Sequence, residues 1–352
     1  MSLWNRLSHA LRGRLLPGRA IERTLAATLS LCLFTSWGAP ALAQQKTDPA
    51  NYYLSAAGAA AFWSLRINDV TVWRDFNGQD TNFTLPVNAY LQSGRNQISV
   101  TFVSVAGDPY EFNVATPDFY FLAEIERLDL KTRDKRRAAL LNLALDDRND
   151  IQSPAETRFG LPVQVATQPP MLVAGGGHDR QELADGWGSA WTGRRAMAVF
   201  EVADELPELP WAKAPVLSDT AELRASLLDA YRELHAALSS GDRDRIRQLY
   251  EPAWRQIAAS MNYASVDEFI EKTSALEQLG PVDPQGMRLQ PLDLVLGERD
   301  FVIEFMAGKR LIRIVPDPIL WAAADDPDNA QSSNVAFFMG RDQRLHVGAV
   351  LY

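Results

Sequence analysis

The sequence predicts a two-domain protein, mainly β and then α+β: an N-terminal antiparallel β-sandwich followed by a C-terminal domain of helices laid on a sheet. Three observations carry this. From Ala61 to Val202, short β-prone runs alternate with Asn, Gly, Asp and Pro turn signals, the pattern of antiparallel sheets. Between Leu206 and Pro215 lie Pro207, Pro210 and Pro215; proline lacks a donor and fixes φ, so neither a regular helix nor a central strand runs through this stretch. Beyond it a helical periodicity comes first and strand-like runs follow, the order of an α+β domain.

The chain has 352 residues, and its first 43 are expected to be removed. Arg6, Arg12, Arg14, Arg19 and Arg23 precede an apolar run from Leu25 to Trp37, and Ala41-Leu42-Ala43 stands before Gln44. A basic start, a short apolar run and a small-residue site form a secretory signal peptide. The run is too short to span a bilayer. It holds no paired arginines, which favours general export, and Leu31 precedes Cys32 where a lipidation site needs a small residue. The expected mature chain divides into a sandwich at 44–205 with a long loop at 148–192, a Pro-rich linker at 206–217, and an α+β domain at 218–352.

Each element has a local cause. In the first half, Ala61–Ile67 and Val70–Trp73 flank the turn pair Asn68-Asp69, and Thr81–Val87 is a short β-prone run. Gln97–Val105 alternates, with Ile98, Val100 and Phe102 on one face. Phe119–Leu130, Arg137–Leu145 and Arg195–Val202 extend the pattern. In the second half, Asp219-x-x-Glu222 suits a capping box. Leu223, Leu227, Tyr231, Leu234 and Leu238 then form one apolar stripe that Gly241 ends. Asp242 caps the next helix, which Pro252 is expected to kink or restart. Ser265-x-x-Glu268 opens a third helix through about Leu279. Strands are expected at Arg288–Leu296, Phe301–Phe305, Arg310–Val315, Val335–Met339 and His346–Leu351.

Two resemblances add to this reading. Ile67-Asn68-Asp69-Val70, Leu85-Pro86-Val87-Asn88 and Leu91-Gln92-Ser93-Gly94-Arg95-Asn96-Gln97-Ile98-Ser99-Val100 resemble the edge of galactose-binding-like jelly-roll sandwiches. The likeness covers ~35 residues and carries over no sugar-binding residue. Residues 218–352 resemble the NTF2-like (SnoaL-type) superfamily, through His235-Ala236-Ala237-Leu238-Ser239-Ser240-Gly241-Asp242 between two helices, a third helix, and the closing pair Val335–Met339 and Leu345–Tyr352. They depart from it at Pro252 and in the polar insert Asp325–Asn334. The resemblance implies a cavity between helices and sheet, in a superfamily of enzymes, binding proteins and structural partners.

Charge and composition exclude several functions. Five of the 35 basic residues and one of the 44 acidic ones lie in the leader, so its removal takes the net charge from −9 to −13. Such a surface argues against nucleic acid and anionic lipid and suits a basic protein partner or plain solubility. The only cysteine, Cys32, leaves with the leader, so no disulfide or cysteine metal site is expected. Outside the leader, His178, His235 and His346 lack the spacing of a zinc site. No cofactor is expected: Gly175-Gly176-Gly177 lacks the phosphate-loop pattern, and no G-x-S-x-G elbow occurs. The acidic turns at 75–80, 146–150 and 325–329 suit solvated turns better than calcium loops.

The remaining candidates are few. His346 with Asp293 or Glu304 is the most attractive acid–base set, because imidazole titrates near neutrality. Trp187 and Trp191 sit in the glycine-rich stretch Asp185-Gly186-Trp187-Gly188-Ser189-Ala190-Trp191. There they either anchor a partner, stack on a sugar, or pin the loop to its own domain. His178, in Gly177-His178-Asp179-Arg180, joins them as a candidate binding residue. The basic run Lys131–Arg137 suits a solvated hairpin tip, a contact with an acidic partner or one with the membrane surface. Together these features point to a periplasmic or secreted, non-catalytic binding protein. Its expected partner is an envelope protein, as for an immunity or inhibitor protein, and no membrane span remains after cleavage. A cell-wall glycan module and an enzyme using the C-terminal cavity are the alternatives.

Overall fold

Alternating side chains and frequent turns build the first half into two facing antiparallel sheets. The computed structural model describes residues 49–157, 180–184, 189–292, 296, 301–323, 330–333 and 335–351; the expected leader and most of the 148–192 loop lie outside them. The strands are β1 (Ala50–Ala59), β2 (Ala61–Ile67), β3 (Val70–Asp75), β4 (Thr81–Pro86), β5 (Gly94–Ala106), β6 (Glu111–Phe112), β7 (Tyr120–Asp129), β8 (Lys135–Leu145), β9 (Ile151–Gln152), β10 (Arg180–Ala184) and β11 (Ala190–Val202). One sheet has the order β4-β1-β7-β8-β9 and the other β10-β11-β5-β2-β3, with β6 added to β5. Inward residues of both, among them Leu54, Trp63, Leu65, Phe102, Phe121 and Leu141, form one buried cluster. Residues between them on the same strands face outward, as a period of two requires.

Two departures from expectation lie here. The chain reads as strand-like after Pro49, but the alanine-rich end of β1 sets no limits in the sequence, and it proves to be a middle strand, paired with both β4 and β7. Its small residues admit large neighbours: a Cβ at Gly58 would stand 3.2 Å from the Phe121 ring. The expected loop at 148–192 holds β9, β10 and the start of β11, with Leu183 paired to Trp191.

The Pro-rich stretch is pinned rather than loose. Asp204 accepts the Tyr52 hydroxyl at 2.5 Å and the Arg127 guanidinium at 2.7 and 2.9 Å. Leu209 and Trp211 are buried in the sandwich cluster. Proline excludes regular structure here, so side-chain anchors fix the path.

Three helices follow among the described residues: α1 (Ala221–Ser240), α2 (Arg243–Ser260) and α3 (Val266–Thr273). The cap of α1 is Thr220 rather than Asp219; its hydroxyl accepts the Leu223 amide at 3.2 Å. Thr220→Ala should cost about 1 kcal/mol, measured by urea unfolding. Gly241, at φ 66°, ends the helix, and Asp242 caps α2. Pro252 lies inside α2 without breaking it; Tyr250, Trp254 and Ile257 are buried on either side and hold the helix through the lost donor. Ser265 and Glu268 cap α3 with bonds of 3.1 and 2.7 Å. The helix ends at Thr273, short of the expected Leu279, because Ser274 turns left-handed.

The C-terminal strands are β12 (Arg288–Leu289), β13 (Val302–Met306), β14 (Leu311–Val315), β15 (Leu320–Ala322), β16 (Ala330–Ser332), β17 (Val335–Met339) and β18 (Leu345–Val350). The strand expected over Arg288–Leu296 is only two residues long, and β15 and β16 carry no sequence signal. The main sheet runs β13-β14-β17-β18, beside a small one of order β12-β15-β16. Ile303, Ile312, Ile314 and Phe337 face the helices. Met306, Leu311, Ala336 and Ala349 join the sandwich cluster. The sheet is therefore covered on both faces, and every residue of β14 is buried.

Polar ties cross the same junction. Asn88 Nδ2 donates to the Ser260 carbonyl at 2.8 Å, Tyr90 Oη donates to the Val350 carbonyl at 2.5 Å, and the Ala307 amide donates to the Asp69 carbonyl at 3.1 Å. The fold is β-rich, built of antiparallel sheets. No helix among the described residues is long and apolar enough to cross a membrane.

Candidate functional site

Register places two polar rows across the outer face of the second sheet. Ser64 on β2 stands opposite Thr101 on β5 and Arg74 on β3, and Thr101 stands opposite Arg195 on β11. The row is Arg195–Thr101–Ser64–Arg74. One pleat along, Met197, Ser99, Arg66 and Thr71 form a second row. Their sequence neighbours Trp63, Leu65, Val100 and Phe102 point into the core, so alternation sends the polar side chains outward.

Strand β13 lies over these rows and closes a cleft of about 240 Å³ lined by Ser64, Arg66, Arg74, Thr101, Leu183, Ala184, Val302, Ile303, Glu304, Phe305 and Val315. Glu304 is its charged centre. Its Oε1 accepts Arg66 Nη2 at 2.7 Å and Thr71 Oγ1 at 2.7 Å, and its Oε2 accepts Arg313 Nε at 2.6 Å. Burial alone would raise the Glu304 pKa, but Arg313, Arg66 and Arg74 outweigh it and hold the carboxyl far below its ordinary range. A carboxylate held this way is a fixed anion, unsuited to proton transfer near neutrality.

A second feature lies on the same outer face. Phe62 meets Phe76 at 6.0 Å, Tyr110 at 5.5 Å, Phe112 at 5.6 Å and Trp191 at 5.0 Å between ring centroids. Val103, Val105 and Leu183 are buried with Phe62 beneath the rings. The top is open: Phe112 is 39% exposed and Trp191 half-buried. Tyr110 Oη donates to the Asn77 carbonyl at 2.7 Å and accepts Gln79 Nε2 at 2.9 Å, which fixes its ring. Asp80, Asp108 and Glu111 are exposed along the same turns. The result is an apolar ledge with an acidic rim.

The residues singled out in the sequence fall as follows. Trp191 is part of the ledge, while Trp187, His178 and Asp293 lie outside the described residues. His346 sits on β18 at the end of its hairpin with β17, and its Nε2 lies 2.9 Å from Asp342 Oδ1. A Cβ at Gly340 would come within 2.7 Å of the His346 ring, so glycine makes room for that pair. His346 and Glu304 are not brought together: they lie on the two edge strands of one sheet, roughly 14 Å apart across three strand spacings. His235 Nε2 lies 2.8 Å from the Gln290 carbonyl and so ties α1 to the segment after β12.

Among the described residues, Leu227, Tyr231, Leu234, Ile246, Ile312 and Phe337 pack together between helices and sheet. A hollow of about 50 Å³ remains beside Tyr250, Trp254 and Trp321, room for a water or two. Among the described residues no three His, Cys, Asp or Glu side chains gather as a metal-ligand set. The sequence reading missed the polar rows and four of the five ledge aromatics, because each needs strand register. No protein-family model matches this chain, and no curated protein matches it.

Proposed function

We propose that this chain is exported to the periplasm and acts there as a non-catalytic protein-binding protein, its partner seated on the Phe112–Trp191 ledge. The single observation that carries this is the open ledge itself. Aromatic side chains at the centre of a contact, ringed by polar residues, supply most of the binding energy of protein interfaces. The acidic rim of Asp80, Asp108 and Glu111 favours a basic partner, as the net charge does. In this reading the second half is an NTF2-like domain whose described helix–sheet interface serves packing. Its role is to buttress the sandwich through the shared sheet.

A photoreactive benzoylphenylalanine in place of Phe112, introduced in the native host, should give one stoichiometric protein adduct from the periplasmic fraction. The mature chain should begin at Gln44 by mass spectrometry. Trp191→Ala should weaken binding of the recovered partner about 100-fold, with the far-UV spectrum retained. Absence of any adduct, or an adduct unaffected by Trp191→Ala, would sink the reading. Retention on insoluble peptidoglycan without a protein partner would point to the glycan alternative.

A further inference from the structure

The polar rows hold a feature that neither packing nor the ledge accounts for. In the row Met197–Ser99–Arg66–Thr71, an arginine and a hydroxyl hold a carboxylate: Glu304 accepts from Arg66 and Thr71, each at 2.7 Å. The adjoining row, Arg195–Thr101–Ser64–Arg74, repeats the same chemistry one pleat away. Three of its members, Thr101, Ser64 and Arg74, line the 240 Å³ cleft. Ser64 is only 6% exposed, and its Oγ has no hydrogen-bond partner among the described residues. A buried hydroxyl in that state is unfavourable unless something else satisfies it.

The opposite wall of the cleft is apolar. Val302 and Val315, paired across β13 and β14, form it, and Val302 is 51% exposed at its rim. The volume falls below the roughly 300–1,000 Å³ that holds a drug-sized ligand. An arginine–hydroxyl floor under an apolar wall fits a small molecule with one anionic end and one apolar end.

We infer that this cleft binds a small monocarboxylate, its carboxylate on Ser64 and Arg74 beside Thr101 and its aliphatic or aromatic tail against Val302 and Val315. The site adjoins the ledge through Leu183 and the Arg74–Phe76 contact, but hexanoate binding and partner capture are read separately, so failure of one leaves the other standing. Glu304 is the internal precedent: the sheet face already seats one carboxylate with the same two group types. The hydroxyl of Ser64 donates to the ligand, and the guanidinium of Arg74, whose Nη2 also donates to the Ala184 carbonyl, supplies the positive charge beside it.

Hexanoate is the probe, with hexanol, succinate and inorganic phosphate as comparators. Binding to the purified protein is followed by calorimetry and saturation-transfer NMR at constant ionic strength. Hexanoate should saturate with a Kd of about 1 mM or tighter. Hexanol, lacking the charge, should bind at least about tenfold more weakly. Ser64→Ala should weaken hexanoate about tenfold without lowering the melting temperature, because it removes an unpartnered hydroxyl. Ser64→Asp, which carries its own carboxylate into the row, should raise the melting temperature and eliminate hexanoate binding. No saturation by hexanoate, equal affinity in the wild type and Ser64→Ala, or a preference for phosphate or succinate would each overturn the assignment.

Discussion

Glu304→Gln is expected to lower folding stability by about 3–5 kcal/mol, the cost of leaving buried charge uncompensated. The side chains of Glu304 and Arg313 are 12% and 5% exposed, and Arg66 approaches from the sandwich. Glutamine keeps the shape and one acceptor but cannot balance two guanidinium groups. Arg313→Met in the same chain should recover part of the loss, since an apolar replacement removes the stranded charge. Urea unfolding of the two variants and their combination measures the coupling.

The same residue gives a pH dependence with a defined sign. The Glu304 pKa is held far below its ordinary value, so on acidification the unfolded chain takes up this proton before the folded one does. Its stabilising contribution is complete above the ordinary glutamate pKa of about 4.3 and shrinks as the pH falls below that. The wild type should therefore lose stability on the acid side of pH 4, and Glu304→Gln should lose measurably less over that range.

Asn88→Ala is the second large effect, expected at about 3–5 kcal/mol. Asn88 is fully buried. Its Oδ1 accepts the Tyr52 amide at 2.7 Å, and its Nδ2 donates to the carbonyls of Ala50 at 3.1 Å and Ser260 at 2.8 Å. Alanine leaves the Tyr52 amide and the Ser260 carbonyl without this partner and the Ala50 carbonyl with only the long Asn262 bond of 3.4 Å, at about 1–3 kcal/mol each and less than additively. Ser260 ends α2 and Ala50 begins β1, so the side chain also ties the helices to the sandwich. In the wild type, helical circular dichroism and tryptophan fluorescence should change together on unfolding. In Asn88→Ala the helical signal should fall first. Coincident transitions at wild-type stability would show that the tie carries little energy.

Legibility followed locality. Val335–Met339 has the limits expected of it, because a short continuous apolar run between polar and turn residues describes a buried strand by itself. The helices α1 and α2 were legible from their stripes and from Gly241. The cap of α1 was misplaced by one residue, since Asp219 and Thr220 both suit the position and only the burial of Leu223 and Leu227 sets the phase. The limits of strand β1 were not legible, because the alanine and glycine of its second half lack β-propensity and the space they free matters only once Phe121 is opposite. Of the site, Trp191 could be singled out because glycines surround it. Phe62, Phe76, Tyr110 and Phe112 could not, because each alone resembles an ordinary core aromatic. Glu304 drew notice as a partner for His346, but sheet order puts the two on opposite edges and gives Glu304 to three arginines.

The sequence by itself determined the kinds of element, their approximate order and the acidic charge of the chain, and its turn and cap residues set where most of them stop. These depend on neighbours a few residues apart, which side-chain period and backbone preference encode directly. Only the tertiary structure decided that Arg74, Ser64, Thr101 and Arg195 form one row, that five rings make one ledge, and that the C-terminal sheet is covered from both sides. Those facts depend on strand register and on which faces meet. Both are settled by burial summed over residues far apart in the chain, and no local pattern contains that sum.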